Sequence, residues 1–274
     1  MFGGSTPAPE YVAARRVLLD ALGALGPHRA AVVLVGAQAL YLRVGTGSVA
    51  VAPYTTDADV AMDPRLIGDA PLLADALGDA GFTLAVRPGT WRRDGVAVDL
   101  LVPASLGGAG RRAARLGPHG NDIARTTTGL ETALVDNNAE TIIALDPADK
   151  RTQVVRVANL ASLLVAKLHK ISDRAGDPSR RIDKDALDVL RLFQGAEPQG
   201  LGTRLTELTA DPLAGTSVRA SRDMLATLFG TVESVGTRMA VRATEGIENP
   251  QVIGMSCVVL ATELLSAWNV LLAR

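Results

Sequence analysis

Residues 30–45, AAVVLVGAQALYLRVG, change character at a single glycine. The first half is an apolar, β-branched run, too short for a helix and bounded by His28-Arg29 and Gly36. It reads as a buried strand over residues 31–35, followed by a helix over residues 37–44. A glycine at such a junction lets the backbone approach a phosphate closely, and the N–H groups that open the new helix are free to face an anion.

Outward from this junction the chain stays mixed. Upstream, Val12, Val17, Leu18, Ala21 and Leu22 recur at helical spacing, which predicts an amphipathic helix over residues 9–25. Downstream, a Gly/Ser/Val loop over residues 45–53 leads to TTDADVAMD at 55–63, read as a short strand. PLLADALGDAGF predicts a helix over residues 73–80, stopped by the Gly78/Gly81 pair. FTLAV, TWRR and VAVDLLV then read as two or three strands joined by Gly and Pro turns. Residues 104–117 give no clear element, and short strands or turns are expected over residues 122–145.

From Leu160 the pattern becomes helical. LASLLVAKLHKISDR and KDALDVLRLF flank the polar loop AGDPSRRI, and only helical segments follow residue 200, ending in the apolar run 252–272. The predicted class is α+β (α/β), with a small mixed-sheet core over residues 1–157 and a helical region over residues 158–274. No internal repeat is evident.

Composition narrows the partners. Aromatic residues are 3% of 274, so Leu, Val and Ala must build the core. A formal net charge of −1 exerts no global pull on nucleic acid, which would need a local Arg patch. Candidate patches are Arg15-Arg16, Arg92-Arg93, Arg111-Arg112 with Arg115, and Arg180-Arg181; each also reads as an ordinary solvated pair. The single cysteine, Cys257, excludes an intrachain disulfide and a thiolate zinc cluster, and its apolar surroundings predict burial. The N-terminus has no signal-peptide pattern, and no uninterrupted apolar run approaches a bilayer-spanning length, so a cytoplasmic protein without a membrane partner is expected. His28, His119 and His169 are too scattered to predict a zinc site, and neither a Gly-x-Ser-x-Gly elbow nor a P-loop is present.

The acids carry the chemistry. Asp57 and Asp59, two apart on a strand, share one face about 6.6 Å apart along the backbone. Two such carboxylates repel unless a cation lies between them, and Mg²⁺ takes carboxylate oxygens while sharing its other positions with water and phosphate. Asp99 is a lone charge in an apolar strand, costly to bury unless paired or metal-bound. If that strand lies beside residues 58–62, Asp99 completes a three-carboxylate set for two Mg²⁺ ions; otherwise it is an edge acid facing solvent. Asp63, before Pro64, reads as a turn residue.

LVGAQALYLR, TTDADVAM and VAVDLLV, in this order, resemble the DNA polymerase β-like nucleotidyltransferase superfamily: a Gly-Gly/Ser turn, a DxD strand and a third acid on a later strand. LLVAKLHKISDR followed by KDALDVLRL further resembles the Lys helix and the (Arg/Lys)-Asp-x-x-Asp-Leu segment of the AbiEii-type toxins, which include the MenT group. The resemblance spans residues 31–193; residues 200–274 carry no assignable motif. It implies that Asp57, Asp59 and Asp99 hold two Mg²⁺ ions, that Gly36 and Ala37 form the phosphate turn, and that Lys167 holds the triphosphate of an NTP. It also makes Asp185 or Asp188 a further active-site acid, with Asp185 preferred. The implied reaction transfers NMP from the NTP to an acceptor hydroxyl on RNA, at a tRNA 3′ end, under restraint by a cognate antitoxin. Small-molecule nucleotidyltransfer to an antibiotic is the alternative enzyme, and an inactive fold kept as a binding module is the alternative of another class. One departure is Ala37 where the family has Gly or Ser, leaving Gln38 or Ser48 to supply the missing contact. The remaining alternative for the helical motif is an ordinary surface helix with Lys167 or Lys170 solvated.

Overall fold

The structure, a computed structural model, describes residues 7–45, 54–108 and 112–272. Ser48, Arg111 and most of the 45–53 loop lie outside the described residues.

The first part runs α1 (Pro9–Ala24), β1 (Val32–Val35), α2 (Gly36–Val44), β2 (Asp57–Met62), α3 (Leu73–Asp79), β3 (Thr83–Leu84), β4 (Thr90–Arg93), β5 (Val96–Pro103), β6 (Arg125–Thr127), α4 (Glu131–Val135), β7 (Asn137–Ile143) and β8 (Thr152–Ala158). The second runs α5 (Leu160–Ala175), α6 (Asp183–Gly195), α7 (Pro198–Leu208), α8 (Gly215–Phe229), α9 (Val235–Ala243) and α10 (Pro250–Leu272). The α/β class with a helical C-terminal region is the observed one. Two compact units divide the chain: residues 1–39 with 53–159, and residues 40–52 with 160–274. The break near residue 158 is thus at 159/160, and a short piece after β1 also counts with the helical unit.

One mixed sheet organises the first unit, in the order β3-β4-β5-β2-β1-β8-β7, with β6 pairing the end of β5. β1 is central: all four of its residues are buried, as a sheet strand covered on both faces requires. It runs antiparallel to β2 and parallel to β8. β2 and β5 are parallel, while β4 returns antiparallel along the other side of β5. Period-two alternation buries Val96, Val98, Leu100 and Val102 of β5. The strand β8 is absent from the sequence reading because only Val155, Val157 and Ala158 are buried, with Arg156 among them and polar Thr152 and Gln153 ahead. Residues 26–31, ahead of β1, form a 3₁₀ turn, so β1 starts at Val32.

α1 packs on β2, β5 and β8 and buries Tyr11, Ala14, Val17, Leu18, Ala21 and Leu22. It also buries Arg15 completely, which removes Arg15 from any surface basic patch. Its guanidinium donates to Gln38 Oε1 (2.8 Å), the Ile143 carbonyl (3.0 Å) and the Tyr11 hydroxyl (3.1 Å). Burial pulls the Arg15 pKa down and pushes Tyr11 up, but the bonded arrangement holds both in place. Arg15→Met leaves these buried acceptors without their donor, so a loss of about 1–3 kcal/mol is expected in urea unfolding. An unchanged midpoint and slope would mean that the network contributes nothing net.

In the helical unit, Ile253, Cys257, Ala261, Leu264 and Trp268 form one buried stripe of α10 at spacings of four, four, three and four. This helix packs on α7, α8 and α9, and Gly202 of α7 lies where a Cβ would stand 3.0 Å from Ala267. Cys257 is buried, its thiol pushed up to about 12 by desolvation. Polar residues Gln251, Ser256, Thr262, Glu263 and Ser266 interrupt α10, so no uninterrupted apolar run of spanning length occurs in it. Residues Pro250–Trp268 are long and apolar enough by composition, with mean hydropathy 1.4, but 33% of that window is buried within the fold.

Candidate functional site

Strand register builds a face of carboxylates. Asp59 pairs with Asp99 across β2 and β5, and Asp57 lies two residues earlier on the same face of β2. Asp99 is therefore on an interior strand and 13% exposed, which overturns the solvent-facing edge-acid reading. Asp57 is exposed, and its Oδ1 accepts the Thr55 hydroxyl at 2.7 Å. Asp63 is the turn residue its sequence predicts: its carboxylate accepts the Arg65 backbone N–H at 3.0 Å and the Arg65 guanidinium at 2.9 and 2.8 Å. Burial opposes ionisation of Asp63, but these bonds hold its pKa below the usual range.

The glycine of the strand–helix junction has a steric role. Val35 pairs with Asp59, so the next residue, Gly36, passes directly over that side chain. Gly36 has φ +70°, and a Cβ there would stand 2.2 Å from Asp59 Oδ2. The position thus demands glycine twice, by backbone conformation and by the carboxylate lodged against it. Gly36→Ala should cost about 1–2 kcal/mol from the left-handed backbone alone, and more as Asp59 is displaced. Urea unfolding measures the stability loss; a variant as stable as the wild type would contradict this geometry.

Ala37, also at the opening of α2, is buried and has only its backbone N–H to offer a ligand. Gln38 does not supply the missing side-chain contact. Its amide accepts from Arg15 and donates to the Asp57 carbonyl at 3.1 Å, so it braces the entry to β2. Thr55, Thr90 and Arg125 are site residues that the sequence did not single out, while Arg15 reads from sequence only as half of a surface pair and Gln38 only as a spare phosphate contact. Thr90, Arg125 and Arg15 act across separate elements, which leaves no local spacing signal, whereas Thr55 lies two residues from Asp57.

Asp99 has its own partners. Oδ1 accepts the Thr90 hydroxyl at 2.6 Å, and Oδ2 is ion-paired with the Arg125 guanidinium. Arg125 is itself tied to the Thr127 hydroxyl at 3.3 Å. Asp57 and Asp59 fit one Mg²⁺, which commonly uses one or two carboxylates and completes its shell with water and phosphate. Asp99 fits less well, because each of its oxygens already faces a donor. Among the described residues no group of three or more acidic, His or Cys side chains is disposed to enclose a metal by itself.

The helical unit holds a second charged cluster. Lys167 of α5 is buried, with Nζ 2.9 Å from Asp185 Oδ1 and 2.7 Å from Asp188 Oδ2. Asp185 and Asp188 share a face of α6 at i, i+3, while Lys167, Lys170 and Arg174 line α5 at i, i+3 and i+7. Asp185 also pairs with Lys170 at 2.9 Å and Arg174 at 3.2 Å. Asp188 accepts from Tyr41 at 3.4 Å and lies 3.6 Å from Arg191 and 3.9 Å from Lys184. Desolvation works against both charges, yet the carboxylates raise the Lys167 pKa and the lysines hold Asp185 well below the usual carboxylate range. The solvated-helix alternative is therefore corrected for Lys167, although Lys170 remains partly exposed.

The histidines bind backbone. His28 and His119 meet edge to face at 5.4 Å, holding the carbonyls of Pro71 and Gly68, and His119 Nδ1 accepts the Leu73 N–H that opens α3. His169 Nε2 lies 2.9 Å from the Ser217 carbonyl. Of the Arg patches, Arg180 pairs with Asp173 and Arg181 reaches the Ala175 carbonyl, while Arg112 and Arg115 are exposed. Comparisons of the chain with protein-family models, curated proteins and solved structures gave no match.

Proposed function

We propose that the chain is a nucleotidyltransferase that moves NMP from an NTP to an acceptor hydroxyl. One observation carries this reading: Asp59 is packed against a φ-positive glycine that opens a helix, with Asp57 and Asp99 on the same sheet face. A sheet face of carboxylates beside helix N–H groups brings cation and phosphate binding into one place. In this mechanism Asp57 and Asp59 would hold Mg²⁺, which would supply charge withdrawal from the phosphates of the NTP. The N–H groups at the head of α2 orient the phosphates, Thr55 steadies Asp57, and Gln38 fixes the backbone that carries it. The acceptor oxygen bonds to the α-phosphorus as the bond to pyrophosphate breaks, and the hydroxyl proton leaves to solvent.

RNA, taken as a tRNA 3′ end, is the proposed acceptor, and the cytoplasm the proposed site of action. A toxin of this kind would be restrained by an antitoxin protein. The test incubates purified protein with Mg²⁺, each α-³²P-labelled NTP and total tRNA, beside Asp57→Ala, on a denaturing gel. Label on tRNA that requires Asp57 supports the reading and identifies the NTP. Label absent from tRNA but present on an aminoglycoside moves the acceptor to small molecules. No transfer to either acceptor removes the enzyme reading and leaves the binding module.

A further inference from the structure

The third acid of the site is occupied by the protein itself. Asp99 lies beside Asp59 in register, yet a hydroxyl and a guanidinium already meet its two oxygens. Thr90 reaches it from β4, on the far side of β5 from Asp59, and Arg125 from β6, where Leu101 of β5 pairs with Arg125. Both donors come from strands that are hydrogen-bonded to β5, so the arrangement is part of the sheet and not a loose side-chain contact.

A guanidinium stays protonated throughout the accessible pH range and presents a planar fork to a carboxylate. It thus fixes a positive charge at Asp99 permanently. A second divalent cation on Asp99 would have to displace Arg125 and then sit beside that unpaired cation. The Asp99 and Arg125 side chains are 13% and 17% exposed, so little solvent is present to screen the repulsion.

We infer that Arg125 stands in the place of a second metal ion, so that the site holds a single divalent cation on Asp57 and Asp59. This rests on the nucleotidyltransferase reading and departs from the family resemblance only in the metal count. Asp99 then acts as the anchor of Arg125 and Thr90, not as a metal ligand, and Arg125 is a positioning residue.

Manganese counts the ions directly. The purified full chain is titrated with Mn²⁺ in the presence of each of the four α,β-methylene NTP analogues, and bound ion is followed by electron paramagnetic resonance. One Mn²⁺ per chain with an isolated six-line spectrum is expected. Arg125→Gln, which leaves Asp99 unpaired, should take up a second ion and show the coupled spectrum of a pair about 3.5–4 Å apart. Arg125→Lys, which keeps the charge, should stay at one. A coupled pair in the wild type overturns the inference while leaving the nucleotidyltransferase reading intact. One ion in a folded Arg125→Gln overturns the role given to Arg125. No bound ion with any analogue overturns both readings together. Should Arg125→Gln fail to fold, the wild-type count alone decides between one ion and two.

Discussion

Asp59→Asn should reduce nucleotide transfer by about 10³-fold or more while leaving the chain folded. Asparagine has nearly the shape of aspartate, so the close approach to Gly36 survives the substitution. The change removes one charge from a face where Asp57, Asp59 and Asp99 are neighbours in register. Transfer should suffer because a neutral amide is a poor ligand for Mg²⁺, and the lost charge stabilisation of several kcal/mol converts at about 1.4 kcal/mol per tenfold in rate. The measurements are transfer of α-³²P label and thermal unfolding on the same preparation. Turnover within about tenfold of wild type, equivalent to about 1.4 kcal/mol, would sink the metal role of Asp59. A collapsed unfolding temperature would make Asp59 a structural residue instead.

The sheet was legible wherever one local pattern determined it. The apolar run to Val35, the break at Gly36 and the alternation in VAVDLLV each follow from residues adjacent in sequence. The parallel pairing of β2 with β5 was legible only as a condition, because strand neighbours forty residues apart are chosen by tertiary packing. β8 was missed for a related reason. Val155 and Val157 are buried on either side of Arg156, but Val154 is exposed and Gln153 is polar at the inward-facing parity, so the alternation is too short to read locally. The apolar run at the C-terminus read correctly as helix, but its stripe of buried residues emerges only from the packing of α7, α8 and α9 around it.

The site divides along the same line. Asp57, Asp59, Asp99 and Gly36 announce themselves by spacing or by isolation in an apolar context. Their partners do not: Thr90 and Arg125 reach Asp99 from other strands, and Arg15 reaches Gln38 from a helix that looks like an ordinary amphipathic one. Arg15-Arg16 read as a surface pair, yet one member is the most deeply buried arginine of α1 and the other is exposed. A doublet of charges on a helix lies about 100° apart around its axis, so one can face inward while the other faces water.

Lys167→Met should destabilise the protein by about 3 kcal/mol, at the low end of the cost of breaking a buried ion pair. Met fills the volume of the side chain but leaves Asp185 and Asp188 buried without the ammonium between them. The cost stays at the low end because Lys170 and Arg174 still serve Asp185, and Arg191 and Tyr41 still serve Asp188. The family resemblance instead predicts that loss of Lys167 mainly raises the apparent KM for NTP; urea unfolding beside NTP kinetics separates the two. The pH dependence has a definite sign. The Asp185 pKa is depressed in the folded state, so its contribution is present above the ordinary carboxylate range near 4 and is lost as pH falls below it. The Lys167 pKa is raised, so its contribution is full below the ordinary lysine range near 10.5 and persists beyond it. The stability gap between wild type and Lys167→Met is therefore widest from about pH 5 to 10. It narrows toward pH 3, where Asp185 of the variant, no longer held ionised by Lys167, protonates more easily than in the wild type and is buried neutral. A gap that stays constant from pH 7 to pH 3 would show that Lys167 contributes through packing and not through charge.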